Sequence, residues 1–186
     1  MKPRELINFL KVVEKLKCNT RHSWTSNNRQ ESVADHSWRL SLMAFLLEDE
    51  FPEADVDKVI KMCLIHDLGE AITGDIPSFN KTKEHELIED EAIEALVNSL
   101  PSPTKEEFAT LFKEMALMES MEARIYKALD KLEVMIQHNE ADLSTWIPLE
   151  YESNISYAAE EVLFSEYMKE LRKEINKDSL QKIGKI

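Results

Sequence analysis

The chain has 186 residues, a length that suits one domain with a hydrophobic core. Its formal net charge of −13 argues against a nucleic-acid polymer as partner, because non-specific binders of this kind need a basic surface. With only three glycines, at positions 69, 74 and 184, neither a dinucleotide-binding fingerprint nor a phosphate-binding P-loop can be written anywhere in the sequence.

The composition favours an all-α protein. Hydrophobic residues make up 43% of the chain and aromatic residues only 8%, and no alternating run is long enough to predict a strand. The N-terminus lacks the apolar core of a signal peptide, and no apolar stretch approaches membrane-spanning length, so we expect no membrane partner. Cys18 and Cys63 show no CxxC spacing, which predicts reduced thiols in a cytoplasmic protein.

The first predicted elements are a helix over residues 3–17 and a long polar connection over residues 18–31. A loop of this length inside a compact domain is uncommon unless it has a function. Arg21 could hold a phosphate, and Trp24 could stack on a ring or a sugar. Trp24 could equally anchor the loop to the core.

The next two predicted helices each carry a histidine, His36 toward the core and His66 beside the end of an apolar stripe. A helix capped at Ser32 directs His36 to its buried face, and the apolar stripe of a helix over residues 55–67 ends at Asp67, beside His66. Helices joined by a short link pack as antiparallel neighbours, so the His36 end of one should meet the His66 end of the other. For His66 and Asp67 alone, mutual capping at a helix end is the simpler interpretation.

Residues 66–77 combine four titratable groups, His66, Asp67, Glu70 and Asp75, with two of the three glycines. The glycines allow a helix to end here and the backbone to wrap around a small ligand. A histidine and three carboxylates within ten residues repel one another unless a cation or protons compensate the charge. The segment therefore predicts a site for a small cation.

The rest of the chain predicts further amphipathic helices, over about residues 84–100, 104–118, 120–140 and 153–176. Asp130 lies at the border of the inward stripe of its helix, so periodicity alone does not nominate it as a ligand. The whole chain, residues 1–186, is predicted to be a single domain of about six to seven helices, with its core over about residues 5–175. The tail, residues 177–186, is expected to fray.

The order of the polar residues resembles a known family. His36, His66-Asp67 and Asp130 on successive helices resemble the H…HD…D pattern of HD-domain metal-dependent phosphohydrolases. Four stretches together are similar to the HD-domain 5'-deoxynucleotidases, which include the HD-domain-containing protein 2 group. They are Glu-Ser-Val-Ala-Asp-His at 31–36, His-Asp-x-x-Glu at 66–70, Thr-Gly-Asp at 73–75 and Leu-Asp-Lys-Leu-Glu at 129–133.

The resemblance implies a helical bundle, a single HD domain, that binds one divalent metal ion. Its ligands would be His36, His66, Asp67 and Asp130. Imidazole nitrogens and carboxylate oxygens suit Mn²⁺, Co²⁺, Fe²⁺ or Zn²⁺, with Mg²⁺ as a further candidate, and ligand type alone does not choose among them. The family also implies a homodimer.

The remaining site residues are assigned by the same resemblance. Glu70 and Asp75 match the family's catalytic carboxylates, and Arg21 and Trp24 match its substrate-binding residues. The implied activity is hydrolysis of deoxyribonucleoside 5'-monophosphates to nucleoside and phosphate.

Two other interpretations stay open. One keeps the metal site but changes the substrate to a ribonucleotide, a cyclic nucleotide or a polyphosphorylated nucleotide. The other is a helical binding protein whose bound metal is not catalytic. The absence of a second His-Asp pair favours a single-metal monoesterase over two-metal phosphodiesterases.

Overall fold

The structure is a computed structural model that describes residues 1–184. Its helices are α1 (Pro3–Val13), α2 (Val33–Leu46), α3 (Val56–Ile65), α4 (Glu70–Thr73), α5 (Lys83–Asn98), α6 (Thr104–Leu117), α7 (Met121–Glu140), α8 (Glu150–Ser156) and α9 (Glu166–Lys182). Two short strands, β1 (Thr20–Trp24) and β2 (Gln30–Ser32), pair antiparallel. The all-α class is confirmed, and the helices beyond the predicted six to seven are the short α4 and α8. Of the helices described, none is long and apolar enough to cross a membrane.

Helices α2, α3 and α7 pack against one another at the centre of the bundle. Leu40 of α2, Val59 and Met62 of α3, and Leu129 and Leu132 of α7 have no exposed surface. Full burial of one such side chain contributes roughly 1.5–3 kcal/mol, so these three helices form a stable frame. The polar residues at their ends are therefore held by the best-packed part of the fold.

Helix α2 begins at the residue that the sequence predicted. The Ser32 hydroxyl accepts a hydrogen bond from the backbone N–H of Asp35 (3.1 Å), and the Asp35 carboxylate accepts one from the backbone N–H of Ser32 (2.9 Å). This reciprocal cap fixes the first turn of α2, which carries His36. The start of α2 meets the end of α3, and the His36 and His66 rings lie 5.2 Å apart between centroids, as antiparallel packing predicts.

The connection between α1 and α2 is a β-hairpin, so the prediction of an irregular segment without strands was wrong here. Thr20 pairs with Ser32 and Trp24 with Gln30. The strands are too short and polar to give an alternating pattern, and part of their support comes from a distant helix. The Gln137 side chain of α7 donates to the backbone carbonyl of Trp24 (2.6 Å). Tertiary contacts of this kind leave no local signal in the sequence.

The last predicted helix is two helices. Ala158 adopts a left-handed backbone angle (φ 58°) after α8, and Ser165 caps the start of α9 by accepting from the backbone N–H of Met168 (3.3 Å). No glycine or proline marks this break in the sequence. The tail that we expected to fray from residue 177 continues as α9 to Lys182, and Ser179 is fully buried. Residues 185–186 of that tail lie outside the described residues.

Candidate active site

Four predicted ligands come together from three helical regions. His36 lies in the first turn of α2, His66 and Asp67 follow the end of α3, and Asp130 lies in α7. One ligand atom from each of His36, His66 and Asp67 lies within 4.8 Å of the others. The Asp130 Oδ1 atom lies 3.2 Å from His36 Nε2 and 3.8 Å from His66 Nε2. The four side chains therefore surround a common point.

Both imidazoles present their Nε2 atoms to this point. His66 Nδ1 lies 2.9 Å from the Cys63 carbonyl, so the hydrogen-bond network assigns it as a donor and leaves a lone pair on Nε2. His36 Nδ1 is held in the same way by Glu133 Oε2 at 2.5 Å. His66 Nε2 is buried and has no hydrogen-bond partner among the described residues. An unused nitrogen lone pair beside two carboxylates suits a metal ligand.

The charges around the cluster favour a cation. Burial and Arg21 lower the pKa of His36, but Glu133 and Asp130 outweigh them and raise it to about 10. Burial acts to raise the pKa of Asp130, yet Lys127 and His36 hold it well below its usual range. The site therefore attracts positive charge strongly. Two imidazole nitrogens and two carboxylates form a donor set that fits a divalent transition metal.

A cleft of about 550 Å³ opens beside the cluster, a size that suits a small-molecule ligand. Its walls come from four parts of the chain: the β-hairpin, helix α7, helix α8 and the segment that follows α4. One group of lining residues surrounds the ligand cluster: Arg21, Asp67, Glu70, Asp75, Lys127 and Asp130. A second group lies around the start of α8: His22, Phe79, His138, Leu149, Glu150 and Asn154.

Glu70 and Asp75 both line the cleft and both retain protons more readily than usual. Burial, together with Asp67 and Asp75, raises the pKa of Glu70 to about 9. Burial likewise raises the pKa of Asp75, against the opposing effect of Arg21. Glu70 Oε2 is buried and unpaired within the described part of the chain. Carboxyl groups of this kind can take and release protons near neutral pH.

Arg21 lies in the cleft between two carboxylates. Its Nη1 is 3.2 Å from Asp67 Oδ2, and its Nε is 3.3 Å from Glu31 Oε2. Burial lowers the pKa of Arg21, but the carboxylates more than offset this effect, so the guanidinium stays charged. Trp24 is not among the described residues that line the cleft. The aromatic residue of β1 that does line it is His22.

Residues that the sequence reading left without a role support the ligands. Glu133 has no exposed surface and binds His36 with one oxygen and Arg39 Nε with the other, at 2.6 Å. Lys127 donates to Asp130 Oδ2 at 2.7 Å. A signal existed for Glu133, because a residue three positions after Asp130 shares its face of a helix.

The HD-domain family model matches residues 13–172, and the chain belongs to the HD-domain family. Human 5'-deoxynucleotidase HDDC2 is 36% identical over 141 residues, which cover 74% of this chain and 68% of the human protein. The 5'-deoxynucleotidase hdd1 of Schizosaccharomyces pombe is 31% identical over 163 residues, covering 78% of this chain and 81% of that protein. A solved structure, the predicted metal-dependent phosphohydrolase from Magnetospirillum magnetotacticum MS-1, is similar with a TM-score of 0.80 and 26% identity, over 96% of this chain and 93% of that chain. These likenesses confirm the family that the four motifs indicated.

Proposed function

We propose that the protein is a metal-dependent phosphomonoesterase that hydrolyses deoxyribonucleoside 5'-monophosphates to nucleoside and phosphate. The observation that carries this proposal is the convergence of His36, His66, Asp67 and Asp130 beside a cleft that also holds Arg21. The relatives named 5'-deoxynucleotidases support the choice of substrate class. We assign the function to a single domain over residues 1–186.

The residues that would hold the proposed metal ion are His36, His66, Asp67 and Asp130. Mn²⁺, Co²⁺, Fe²⁺ and Zn²⁺ are the candidates, with Mg²⁺ as a further one. When bound, such an ion offsets the charge of the phosphate and lowers the pKa of water. Glu133 and the Cys63 carbonyl keep the two imidazoles in the required orientation.

Arg21 is the proposed phosphate-binding residue. Its charged, planar guanidinium can direct two N–H groups at two phosphate oxygens. The flanking carboxylates Asp67 and Glu31 already hold this side chain in the cleft, so little side-chain freedom is lost when substrate binds. For Trp24 we propose no contact with substrate in this conformation.

Glu70 and Asp75 are the proposed proton-transfer residues. Glu70 takes a proton from the attacking water, whose oxygen forms the new bond to phosphorus. The bond between phosphorus and the sugar 5'-oxygen breaks, and Asp75 delivers its proton to that oxygen. Glu70 would lose its proton more readily once positive charge compensates Asp67, because Asp67 contributes to the raised pKa of Glu70. Exchange with solvent then restores both groups.

We propose that the protein is a homodimer that assembles through the outer face of α2. Trp38, Leu42, Phe45 and Leu46 form an apolar stripe there, with Trp38 65% and Leu46 69% exposed. Such a stripe on one helix can meet its own copy across a two-fold axis. Cys18 and Cys63 are free thiols, which suits a reducing compartment, and we propose the cytoplasm.

A panel of deoxyribonucleoside and ribonucleoside 5'-monophosphates, assayed with Mn²⁺, Co²⁺, Mg²⁺ and Zn²⁺, tests the function. We expect Asp67→Ala to lose metal, and Glu70→Ala to keep metal but lose turnover. Asp57→Ala, at an exposed position of α3, is the control and should keep both. Phosphate release that survives complete metal removal would overturn the proposal. Bound metal without turnover of any nucleotide would instead indicate a binding protein.

A further inference from the structure

The second group of cleft residues contains a buried polar network that the proposed chemistry does not use. Glu150 is 4% exposed, and its Oε1 atom lies 3.2 Å from His22 Nε2 and 3.3 Å from His138 Nε2. The other ring nitrogen of His138 lies 3.1 Å from Asn154 Oδ1. Polar groups are costly to bury, so such a network at the wall of a cleft needs a structural or a binding role.

Part of this network is left without hydrogen bonds. Glu150 Oε2 accepts from the backbone N–H of Ile147 at 2.8 Å, whereas Oε1 faces the two histidine nitrogens. His22 Nε2 is buried and, within residues 1–184, makes no hydrogen bond, although it lies 3.2 Å from Glu150 Oε1. Both atoms belong to residues that line the cleft. They can therefore serve a ligand.

Apolar side chains, including an aromatic ring, lie next to these polar atoms. Phe79 packs edge-on against His22, with ring centroids 5.6 Å apart and planes at 90°, and is 44% exposed. Val134, Leu149 and Tyr157 also line the cleft. Apolar walls with a few convergent polar atoms are typical of sites for a planar heterocycle.

The spacing along α7 fits a single ligand that extends from the proposed metal ligands to this network. Asp130 and His138 both line the cleft. At 1.5 Å per helical residue, they are separated by about 12 Å along α7. This separation is comparable to the length of a nucleoside monophosphate, from its phosphate to the far edge of its base.

We propose that His22, Phe79, His138 and Glu150 form a base pocket, in which Glu150 accepts an N–H of the substrate's nucleobase. This inference rests on the proposed function and extends it to base preference. A carboxylate attracts N–H donors and repels carbonyl oxygens. Adenine, cytosine and guanine carry an exocyclic amino group, whereas thymine presents a carbonyl on each side of its ring N–H. The pocket should therefore disfavour thymidine monophosphate.

The test compares nucleotides with a phosphate ester that has no base. Wild type, Glu150→Gln and Phe79→Ala are assayed with dAMP, dCMP, dGMP, dTMP and 2-deoxyribose 5-phosphate. We expect Glu150→Gln to lower kcat/KM for dAMP about 10-fold, to change dTMP less, and to leave 2-deoxyribose 5-phosphate unchanged. Phe79→Ala should raise KM for all four nucleotides but not for 2-deoxyribose 5-phosphate. Glu152→Gln, an exposed carboxylate on the same helix α8, is the matched control.

A merely structural network gives a different result. Glu150→Gln would then lower turnover of nucleotides and of 2-deoxyribose 5-phosphate equally, and Phe79→Ala would change no KM. That pair of results overturns the base pocket while the phosphatase stands. Binding of deoxyadenosine, measured by calorimetry, separates the two proposals further. If no ester is hydrolysed, but deoxyadenosine binds and Glu150→Gln weakens that binding, the base-pocket proposal is supported and the phosphatase proposal is overturned. If deoxyadenosine does not bind and no ester is hydrolysed, both fail.

Discussion

The Nδ1 atom of His36 lies 2.5 Å from Oε2 of Glu133, and neither side chain has exposed surface. Arg39 holds the second oxygen of Glu133, so the carboxylate cannot turn away from the imidazole. The contact fixes the orientation of the ring, so that Nδ1 faces Glu133 and Nε2 faces Asp130 at 3.2 Å. Glu133 is thus a positioning residue for the proposed metal centre.

Glu133→Gln should lower the affinity for the metal ion, because an amide holds the imidazole less firmly and makes it less basic. Loss of such a partner typically weakens metal binding by about 10–100-fold. Titration with Mn²⁺ or Co²⁺ measures the effect directly. The control is Glu140→Gln, which removes a half-exposed carboxylate that also binds Arg39. Equal metal affinity in Glu133→Gln and wild type would contradict the positioning role.

Arg21→Gln should raise KM for nucleotides and lower their kcat/KM by about 10–100-fold, because hydrogen bonds to charged groups contribute roughly 1.5–3 kcal/mol each. Inhibition by inorganic phosphate should weaken in parallel. Arg29→Gln is the matched control, since Arg29 lies on the same hairpin connection but is exposed and pairs with Asp35. If Arg21→Gln and Arg29→Gln have the same KM for nucleotides, phosphate binding has to be assigned to another basic residue.

Removing the metal ion should lower the melting temperature. A ligand that binds only the folded state stabilises it by about 2.7 kcal/mol when its concentration is 100 times its Kd. Calorimetry with and without a chelator therefore reports binding independently of turnover. In Asp130→Asn, the melting temperatures measured with and without the chelator should differ less than in wild type. A difference as large as in wild type would remove Asp130 from the ligand set.

Alanine should destabilise the protein at both Gly69 and Gly74, but for different physical reasons. A Cβ at Gly69 would lie 2.9 Å from Glu89 Cγ and 3.1 Å from the Glu89 carbonyl oxygen, so α5 would have to move. We expect a loss of roughly 1–3 kcal/mol in the free energy of unfolding, as for other overpacked sites. Gly74 has open space, but its φ of +76° and ψ of 165° lie in a region that only glycine adopts readily, which costs alanine about 1–3 kcal/mol. Urea unfolding of both variants measures the two losses, and stabilisation by Gly69→Ala would disprove the close approach.

Periodicity and capping predicted the central helices well, because those signals are local. Ser32 marked the start of α2, and the apolar stripe of α3 led to Asp67, beside His66. Antiparallel packing then accounted for the meeting of His36 and His66. Asp130 was different, since only the family resemblance, and not its place on the helix, pointed to it.

The hairpin and the base pocket depend on contacts between distant parts of the chain. Glu150 begins α8 after a connection, and nothing near it in the sequence links it to His22 or His138. The hairpin is supported in part by Gln137 of α7, more than a hundred residues away. Such long-range hydrogen bonds can be read only once the topology is known.

Helix α7 contributes both Asp130 and His138 to the cleft. A single helix therefore sets the distance between the proposed metal site and the proposed base pocket. The base pocket is also lined by Phe79 and Leu149, which lie in segments that connect the longer helices. Loops tolerate exchange much better than packed helices. Relatives could therefore diverge in the nucleotide they prefer by altering these segments, while the reaction centre stays the same.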